Sequence, residues 1–184
     1  MTTATQSNKI LWNLDSSHSE IGFKVKHMMI SHVSGFFEKF SLKVETEGLD
    51  FAKSNVLFIA DTASVNTDNA QRDGHLKSAD FFDVENFPSM KFESTSVEFS
   101  GNNNYIMHGN LKIKDISKPI KLNVEFGGTG KDPWGNERAG FNIEGKINRS
   151  EWNLTWNAAL EAGGVLVSDE VRIFAEIELI KSEN

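Results

Sequence analysis

The sequence predicts an all-β protein, built either as an antiparallel sandwich or as a closed barrel. Apolar and polar residues alternate with a period of two along most of the 184 residues, and turn-forming residues interrupt this alternation at short intervals. Helical patterns are few. Because alternation of this kind is typical of strands with one apolar and one wetted face, an antiparallel arrangement is favoured. No internal repeat or linker divides the chain, so we expect a flexible segment at residues 1–9 and a single domain at residues 10–181.

Five segments show the alternation most clearly, and each of them sets its apolar residues on one face: IGFKVKH at 21–27, YIMHGNLKIK at 105–114, PIKLNVEF at 119–126, AGFNIEGKI at 139–147 and EVRIFAEIEL at 170–179. Turn signals separate such segments, for example SGNNN at 100–104, DISKP at 115–119 and KDPWGN at 131–136. These positions predict short hairpin connections between long strands.

Two segments depart from simple alternation. Residues 54–65, SNVLFIADTASV, are apolar on both faces, which predicts a strand that is covered on its outer face as well. In SGFFEKFSLKV at 34–44, Phe37 and Phe40 cannot face the same way in a regular strand. This segment therefore predicts a β-bulge near Glu38 or Lys39.

The best helix candidate is TDNAQRDGHLKSADFFD at residues 67–83. Asp68 is a suitable N-cap with Gln71 three residues later, and Asp73 and Lys77 have the spacing of an i,i+4 ion pair. The apolar stripe of this helix consists of Leu76, Ala79 and Phe82. Gly74 costs about 1 kcal/mol relative to alanine, so we expect a short helix held by packing.

The run RDGHLKSADFFD at 72–83 contains the residue types of a hydrolase. On a helix, however, Asp73 and His75 point in different directions, whereas a base and its orienting acid must lie within hydrogen-bonding reach. A partner from elsewhere in the chain could still complete a catalytic site. The preferred interpretation is a capped helix that closes one end of the barrel, with Arg72, His75 and Lys77 available as donors to a polar or anionic head group.

Composition excludes several classes of function. The formal charge of −7, from 19 basic and 26 acidic residues, disfavours nucleic acid and anionic membrane surfaces as partners. The absence of cysteine removes thiol chemistry and thiolate metal sites. The first residues have neither the basic nor the apolar region of a secretory signal, and no apolar run reaches membrane-spanning length, which predicts a cytoplasmic protein without stable membrane insertion.

Two further motifs are weak. GGTGK at 127–131 resembles a phosphate-binding loop, but Glu125 occupies the position of its first glycine and Asp132 follows the lysine. His27 and His32 flank two methionines, yet a metal site needs three or four ligands presented together. We therefore expect neither a phosphate loop nor a metal, and no cofactor.

Phenylalanine is abundant, with 14 residues against a single tyrosine. Many of these rings lie on the predicted inner faces, where they can either fill a solid core or line an open lumen. An eight-stranded barrel is of the size that allows both outcomes. The period of the sequence does not separate them.

A set of linked motifs resembles the YceI-like family of lipocalin-like, polyisoprenoid-binding proteins. These motifs run along nearly the whole chain: WNLD at 12–15, SHSEIGFKVKH at 17–27, SVNT at 64–67, RDGHLKSADFFDVENFP at 72–88, GNLKIKDISKPIKLNVEF at 109–126, GTGKDPWGNERAGFNIEGKINRSEWNL at 128–154 and DEVRIFAEIEL at 169–179.

The resemblance implies an extended eight-stranded antiparallel lipocalin-like β-barrel with one or two short closing helices. It also implies an apolar channel for an isoprenoid chain, such as a polyprenyl phosphate or a quinone-like lipid, and a homodimer. Stress response and lipid handling have both been suggested for the family. Many of its members are exported, and this chain departs from them by showing no signal peptide.

Combined with the alternation, the resemblance gives a set of expected ligand-binding residues. The expected lining residues are Phe23, Val25, Phe40, Leu42, Phe58, Phe92, Met107, Leu111, Phe141 and Ile143. The expected polar contacts at a mouth are Arg72, His75, Lys77 and Arg138.

The function predicted from these residues is a non-catalytic carrier of an isoprenoid lipid. Two alternatives remain at this point. One is an enzyme that acts on the bound lipid with His75 or His27 as the base. The other is a structural or interaction protein with a filled barrel.

Overall fold

The computed structural model describes residues 8–182 and contains one continuous sheet of 11 strands, in which all pairings are antiparallel. The flexibility expected at residues 1–9 falls mostly outside the described residues, and the first strand begins at Lys9. The strands are β1 Lys9–Leu14, β2 Glu20–His27, β3 Ser31–Phe37, β4 Phe40–Glu47, β5 Asp50–Asp61, β6 Val65–Asn66, β7 Ser89–Gly101, β8 Asn104–Ile113, β9 Ile116–Lys131, β10 Glu137–Asn148 and β11 Val167–Lys181.

Helical structure is limited to short elements in the described residues. The α-helix α1 spans Ala70–Lys77 and lies between β6 and β7. Three 3₁₀-helical turns, at Ser16–His18, Thr62–Ser64 and Arg149–Trp152, connect strands.

Eight of the strands close into a barrel in the order β1-β4-β5-β7-β8-β9-β10-β11, because β1 pairs with both β4 and β11. This closure confirms the predicted antiparallel eight-stranded barrel. Further along β11, β2 replaces β1 as the neighbour, and β3 and β6 extend the sheet from β2. β1 and β2 therefore share one strand position in the barrel wall, with a bend between them. β3 and β4 share the neighbouring position in the same way.

The bend between β3 and β4 lies where the sequence predicted a bulge, but the predicted geometry is wrong. Both strands end at this point, and Glu38 and Lys39 form a connection between them. The backbone N–H of Glu38 donates to the carbonyl of Ser64 (3.2 Å), and that of Lys39 donates to Ser64 Oγ (3.0 Å). The bend is thus stabilised by the 3₁₀ turn that precedes β6.

The antiparallel order defines two ends of the barrel. The β4–β5, β7–β8 and β9–β10 turns lie at one end, which we call the closed end. The β2–β3 turn, α1, the β8–β9 turn and residues 149–166 lie at the other, which we call the mouth. At the closed end Phe51 packs against Trp12, Phe126 and Phe141, with centroid separations of 5.4, 5.2 and 5.0 Å. These rings form a floor.

The N-cap of α1 is one residue later than predicted. Asn69 Oδ1 accepts from the backbone N–H of Arg72 (2.9 Å), while Asp68 has a left-handed φ of 59°. Asp73 is not paired with Lys77; its Oδ1 instead accepts from Thr67 N (2.9 Å) and Thr67 Oγ1 (2.6 Å). This local network fixes the residue at which the helix begins.

Two other expectations about exposure were wrong. The outer face of β5 is not covered, since Ile59 on this face is 38 % exposed to solvent. The predicted stripe of α1 is interrupted, because the helix ends at Lys77 and leaves Ala79 exposed on the following turn. Phe82 still reaches the core, where its ring packs edge to face on Phe37 at 5.7 Å.

Candidate functional site

The barrel is hollow. Its inward-facing side chains surround a cavity of about 760 Å³. This volume lies within the range of about 300–1,000 Å³ that is typical of small-molecule sites in proteins. The interior therefore has room for a guest. Of the two interpretations of the phenylalanine-rich inner faces, the open lumen is correct and the solid core is not.

The cavity is elongated along the barrel. On β11 its lining extends from Val167 near the mouth to Leu179 near the closed end. At about 3.3 Å per residue, this stretch spans roughly 40 Å of strand, or about 30 Å along the axis of a barrel with strands tilted by about 40°. Such a shape fits a long chain better than a compact ring system.

Most of the predicted lining residues lie around the cavity: Phe23, Val25, Leu42, Phe58, Phe92, Met107, Leu111, Phe141 and Ile143. Phe40 does not belong to this set. As the first residue after the bend between β3 and β4, it packs beside the ring of Phe58, with the centroids 5.9 Å apart.

Sequence reasoning missed part of the wall. The aliphatic residues Leu122, Val124, Val171, Ile173 and Ile177 lie on apolar faces that alternation predicted, but they were not among the expected lining residues. Leu154, Trp156 and Leu166 also line the cavity, but they come from the irregular segment between β10 and β11. That segment has no period from which their orientation could be derived.

Polar groups gather at the mouth. The polar lining residues at this end are Lys26, His27, Asn69, Gln71, Arg72, His75 and Arg149. Arg72 was expected here, and its guanidinium is oriented by Thr67: Nε donates to Thr67 Oγ1 (2.7 Å) and Nη2 to the Thr67 carbonyl (2.8 Å). An anionic or hydrogen-bonding end group at the mouth would meet cationic and amide donors.

His75 was also expected at the mouth, and it lies there between two elements. Its Nε2 lies 2.8 Å from Asp80 Oδ2, and its ring packs edge to face on Phe81 and Trp156. Sequence reasoning missed Asp80 as the partner because this residue follows the end of α1 and is brought back by the turn. The nearby hydroxyl of Ser78 donates to the His75 carbonyl (2.6 Å), so it is not aligned as a nucleophile on the imidazole.

The structure places Lys77 and Arg138 away from the cavity lining. Lys77 ends α1. Arg138 lies on the outer surface of β10, where Nη1 donates to Asp15 Oδ2 (2.5 Å) and Glu178 Oε1 (2.6 Å), and Nε donates to Asp132 Oδ2 (2.9 Å). Both residues were expected as contacts at a mouth, and neither lies there. Arg138 is instead ion-paired with three carboxylates near the closed end.

The carboxylates around Arg138 have perturbed pKa values. The Ser17 hydroxyl, then the His18 ring and Arg138, hold the pKa of Asp15 well below its usual range. The Asn136 side chain, Arg138 and two backbone N–H groups do the same for Asp132. Asp15, His18 and Glu178 lie close enough together to suggest a metal site. The guanidinium of Arg138 already supplies a positive charge to Asp15 and Glu178.

Arg149 is a buried cation that sequence reasoning missed. Its guanidinium donates to the carbonyls of Ser168 (2.9 Å), Trp156 (2.9 Å), Val167 (3.2 Å) and Leu154. Burial lowers the pKa of Arg149 from its ordinary value, although an arginine remains charged in a protein. This one side chain holds the irregular segment across the mouth and so positions Trp156.

No helix in residues 8–182 is long and apolar enough to cross a membrane. The closed antiparallel barrel with an apolar interior and one polar mouth defines the protein as a lipocalin-like barrel. Within that class the chain belongs to the YceI-like family, since the family model described as "YceI-like domain" matches residues 12–179.

Relatives and solved structures agree with this assignment. A UPF0312 protein of Staphylococcus aureus is 37 % identical over 173 residues, which cover 94 % of this chain and 98 % of the relative. The crystal structure of a Campylobacter jejuni YceI protein is 33 % identical, with both chains fully covered and a TM-score of 0.73. A polyisoprenoid binding domain from Saccharophagus degradans shares the fold at 14 % identity and a TM-score of 0.64, covering 93 % of this chain and 98 % of that chain.

Proposed function

We propose that the protein is a non-catalytic carrier of a long-chain isoprenoid lipid, such as a polyprenyl phosphate or an isoprenoid quinone. The observation that carries this proposal is the elongated apolar cavity of about 760 Å³. Transfer of apolar surface from water into such a cavity gains roughly 25 cal/mol per Å². A hydrocarbon tail of matching length is the guest that uses the whole interior.

The polar end of the lipid is proposed to remain at the mouth. Arg72 and Lys26 can offer positive charge to a phosphate, and Asn69 and Gln71 can donate hydrogen bonds to a phosphate or a quinone oxygen. The opposite end is an aromatic floor, where the polar lining residues are Ser54 and Tyr105 and, among the described residues, no cationic side chain lines the cavity. The tail would therefore enter first, with the head group left at the rim.

The isoprenoid character of the guest is supported by analogy at the level of the fold. The barrel has the fold of a protein described as a polyisoprenoid binding domain. Branched methyl groups also suit a wall that mixes rings with aliphatic side chains. The homodimer implied by the family resemblance stays a proposal, and analytical ultracentrifugation of the full chain tests it.

A lipid-extraction experiment tests the carrier. The full chain is purified without detergent, and native mass spectrometry is followed by solvent extraction and lipid analysis. We expect a bound isoprenoid, or uptake of added geranylgeraniol in a one-to-one complex. A protein that arrives empty and takes up neither geranylgeraniol nor a longer polyprenol would contradict the proposal.

One observation favours a second candidate, an enzyme that acts on the bound lipid. His75 lies at the cavity and its Nε2 is 2.8 Å from a carboxylate of Asp80, which is the arrangement of an oriented base. His75→Ala distinguishes the two functions. A carrier variant would keep its lipid chemically unchanged and bound, whereas an enzyme variant would accumulate substrate and lose its product from the extract.

A further inference from the structure

Exposed apolar side chains cluster beside the mouth. Met28, Met29 and Ile30 form the β2–β3 turn and retain 41 %, 53 % and 80 % of their exposure. Val165, with 39 % exposure, lies on the neighbouring segment between β10 and β11. We call these four residues the apolar tip. Contiguous exposed apolar residues mark surfaces of interaction with proteins or membranes.

The backbone of the turn adopts a conformation that residues other than glycine and asparagine disfavour. Met28 and Met29 have φ values of 52° and 63°, and the N–H of Ile30 donates to the His27 carbonyl (3.1 Å). Two consecutive left-handed residues are the geometry of a type I′ hairpin turn, which strongly prefers Asn-Gly. Methionine at both central positions makes this turn less favourable than Asn-Gly would. The two methionines also present long, flexible apolar side chains at the turn.

The apolar tip is continuous with the cavity entrance. The N–H of Met28 donates to the carbonyl of Leu166 (2.8 Å), which joins the turn to the second segment. His27 precedes the turn, and both His27 and Leu166 line the cavity. A molecule that entered the cavity through this part of the mouth would pass beside the tip.

The outer face beneath the tip is basic, although the chain as a whole carries a formal charge of −7. Lys24 lies on β2, Arg172 is opposite Lys24 on β11, and Lys146 is opposite Arg172 on β10. Glu170 is the acid nearest to these groups, at 3.5 Å from Lys146 and 4.0 Å from Arg172. Because like charges directly opposite each other destabilise a sheet, this arrangement favours an external anionic partner.

We propose that the apolar tip and this basic face dock the protein on the surface of a bilayer that contains anionic lipid. The inference rests on the proposed function, because a carrier of a water-insoluble lipid must collect or deliver it at a membrane. The tip inserts between head groups, the lysines and arginine meet the phosphates, and the mouth opens at the interface. The net negative charge of the chain does not prevent this docking. At physiological salt the repulsion between the membrane and acidic residues is largely screened beyond about 8 Å, so the nearby basic residues dominate.

Vesicle flotation of the full chain tests the docking. Vesicles of phosphatidylcholine alone are compared with vesicles that also contain phosphatidylglycerol. We expect the protein to float with the anionic vesicles, and Ile30→Asp to lower the bound fraction about tenfold, as loss of an inserted apolar side chain implies. The matched control is Leu49→Asp, since Leu49 is 60 % exposed on the β4–β5 turn at the closed end.

The outcomes separate the sources of failure. Equal loss of flotation in Ile30→Asp and Leu49→Asp, or no flotation of the unmodified chain, overturns the docking. A dimer that Ile30→Asp disperses in the absence of vesicles overturns it as well, because a second copy would then cover the tip. Loading with geranylgeraniol from ethanol is measured in parallel by native mass spectrometry. If the unmodified chain loads but does not float, only the docking fails; if it floats but never loads, the proposed carrier function fails.

Discussion

The rings of His75 and Trp156 meet edge to face across the mouth, with centroids 4.6 Å apart and planes at 88°. His75 belongs to α1, whereas Trp156 belongs to the segment that Arg149 holds in place. Both residues also line the cavity. This contact joins two separate elements above the entrance, and it is therefore the natural place to look for control over exchange of the guest.

Trp156→Ala removes that contact and widens the entrance. We expect a bound isoprenoid to dissociate about tenfold faster, as the loss of an aromatic pair worth about 1 kcal/mol together with its buried area implies. The measurement is the transfer of a fluorescent polyprenol analogue to acceptor vesicles. Trp134→Ala is the matched control, because Trp134 is 81 % exposed on the β9–β10 turn at the closed end. Equal release rates for the two variants would rule out a gate at this position.

Ile143→Trp tests whether the guest occupies the centre of the barrel. The larger side chain would project into the cavity, so we expect uptake of geranylgeraniol to fall at least about tenfold. The melting temperature should change little, because the added ring fills empty space instead of overpacking a core. Asn142→Trp is the control, since Asn142 is exposed on the outer face of the same strand. Normal uptake by Ile143→Trp would place the lipid elsewhere.

Periodicity in the sequence was sufficient to assign the inner and outer faces of the strands. Leu122 and Val124, for example, are inward because strands alternate at every residue, whatever surrounds them. The same periodicity could not show that the barrel is hollow. Inward orientation is identical in a filled and an open barrel, and the difference depends on the radius and on which side chains meet across the axis.

The mouth was less predictable, because it depends on contacts between distant parts of the chain. Asp68 and Asn69 are adjacent and both are good caps, so only the bond network of Thr67 and Asp73 decides which of them begins α1. Arg138 was assigned to the mouth because charge alone does not reveal the end of the barrel at which a residue lies. The role of Arg149 could not be predicted, because its partners are backbone carbonyl groups and two of them belong to an irregular segment that has no sequence pattern.

Gly109→Ala tests the close packing of β8 on β7. An added Cβ would lie 2.5 Å from the carbonyl oxygen of Glu93 and 2.4 Å from the ring of Phe92. The backbone carbonyl cannot move away easily, so we expect a loss of about 1–3 kcal/mol in the free energy of unfolding. Gly140→Ala provides the comparison, since its Cβ would meet nothing within 4 Å. Urea denaturation of both variants measures the difference, and equal stability would contradict the observed packing.

Arg149→Met removes the donor that satisfies four carbonyl groups. We expect a decrease of about 3 kcal/mol in the free energy of unfolding, because several buried acceptors lose a charged partner. Lipid release should also accelerate as Trp156 loses its support. Lys43→Met is the control, since Lys43 is exposed on the outer face of β4. Unfolding curves and transfer rates together check the expectation, and a variant as stable as the control would disprove an anchoring role.

Asp132→Asn tests the cluster around Arg138 through the pH dependence of stability. The Asn136 side chain and then Arg138 depress the pKa of Asp132 in the folded protein relative to the unfolded value of about 3.9. A depressed pKa contributes stability that is present above the unfolded pKa and is lost as the pH falls towards the folded value. The unmodified protein should therefore have a higher melting temperature than Asp132→Asn at neutral pH, and this gap should close progressively below about pH 4. Thermal unfolding followed by circular dichroism measures the gap at each pH, with Glu161→Gln as a control for the loss of one exposed charge. A gap that stays constant down to the acid limit would show that the carboxylate of Asp132 stabilises the fold through its shape alone, without its charge on Arg138.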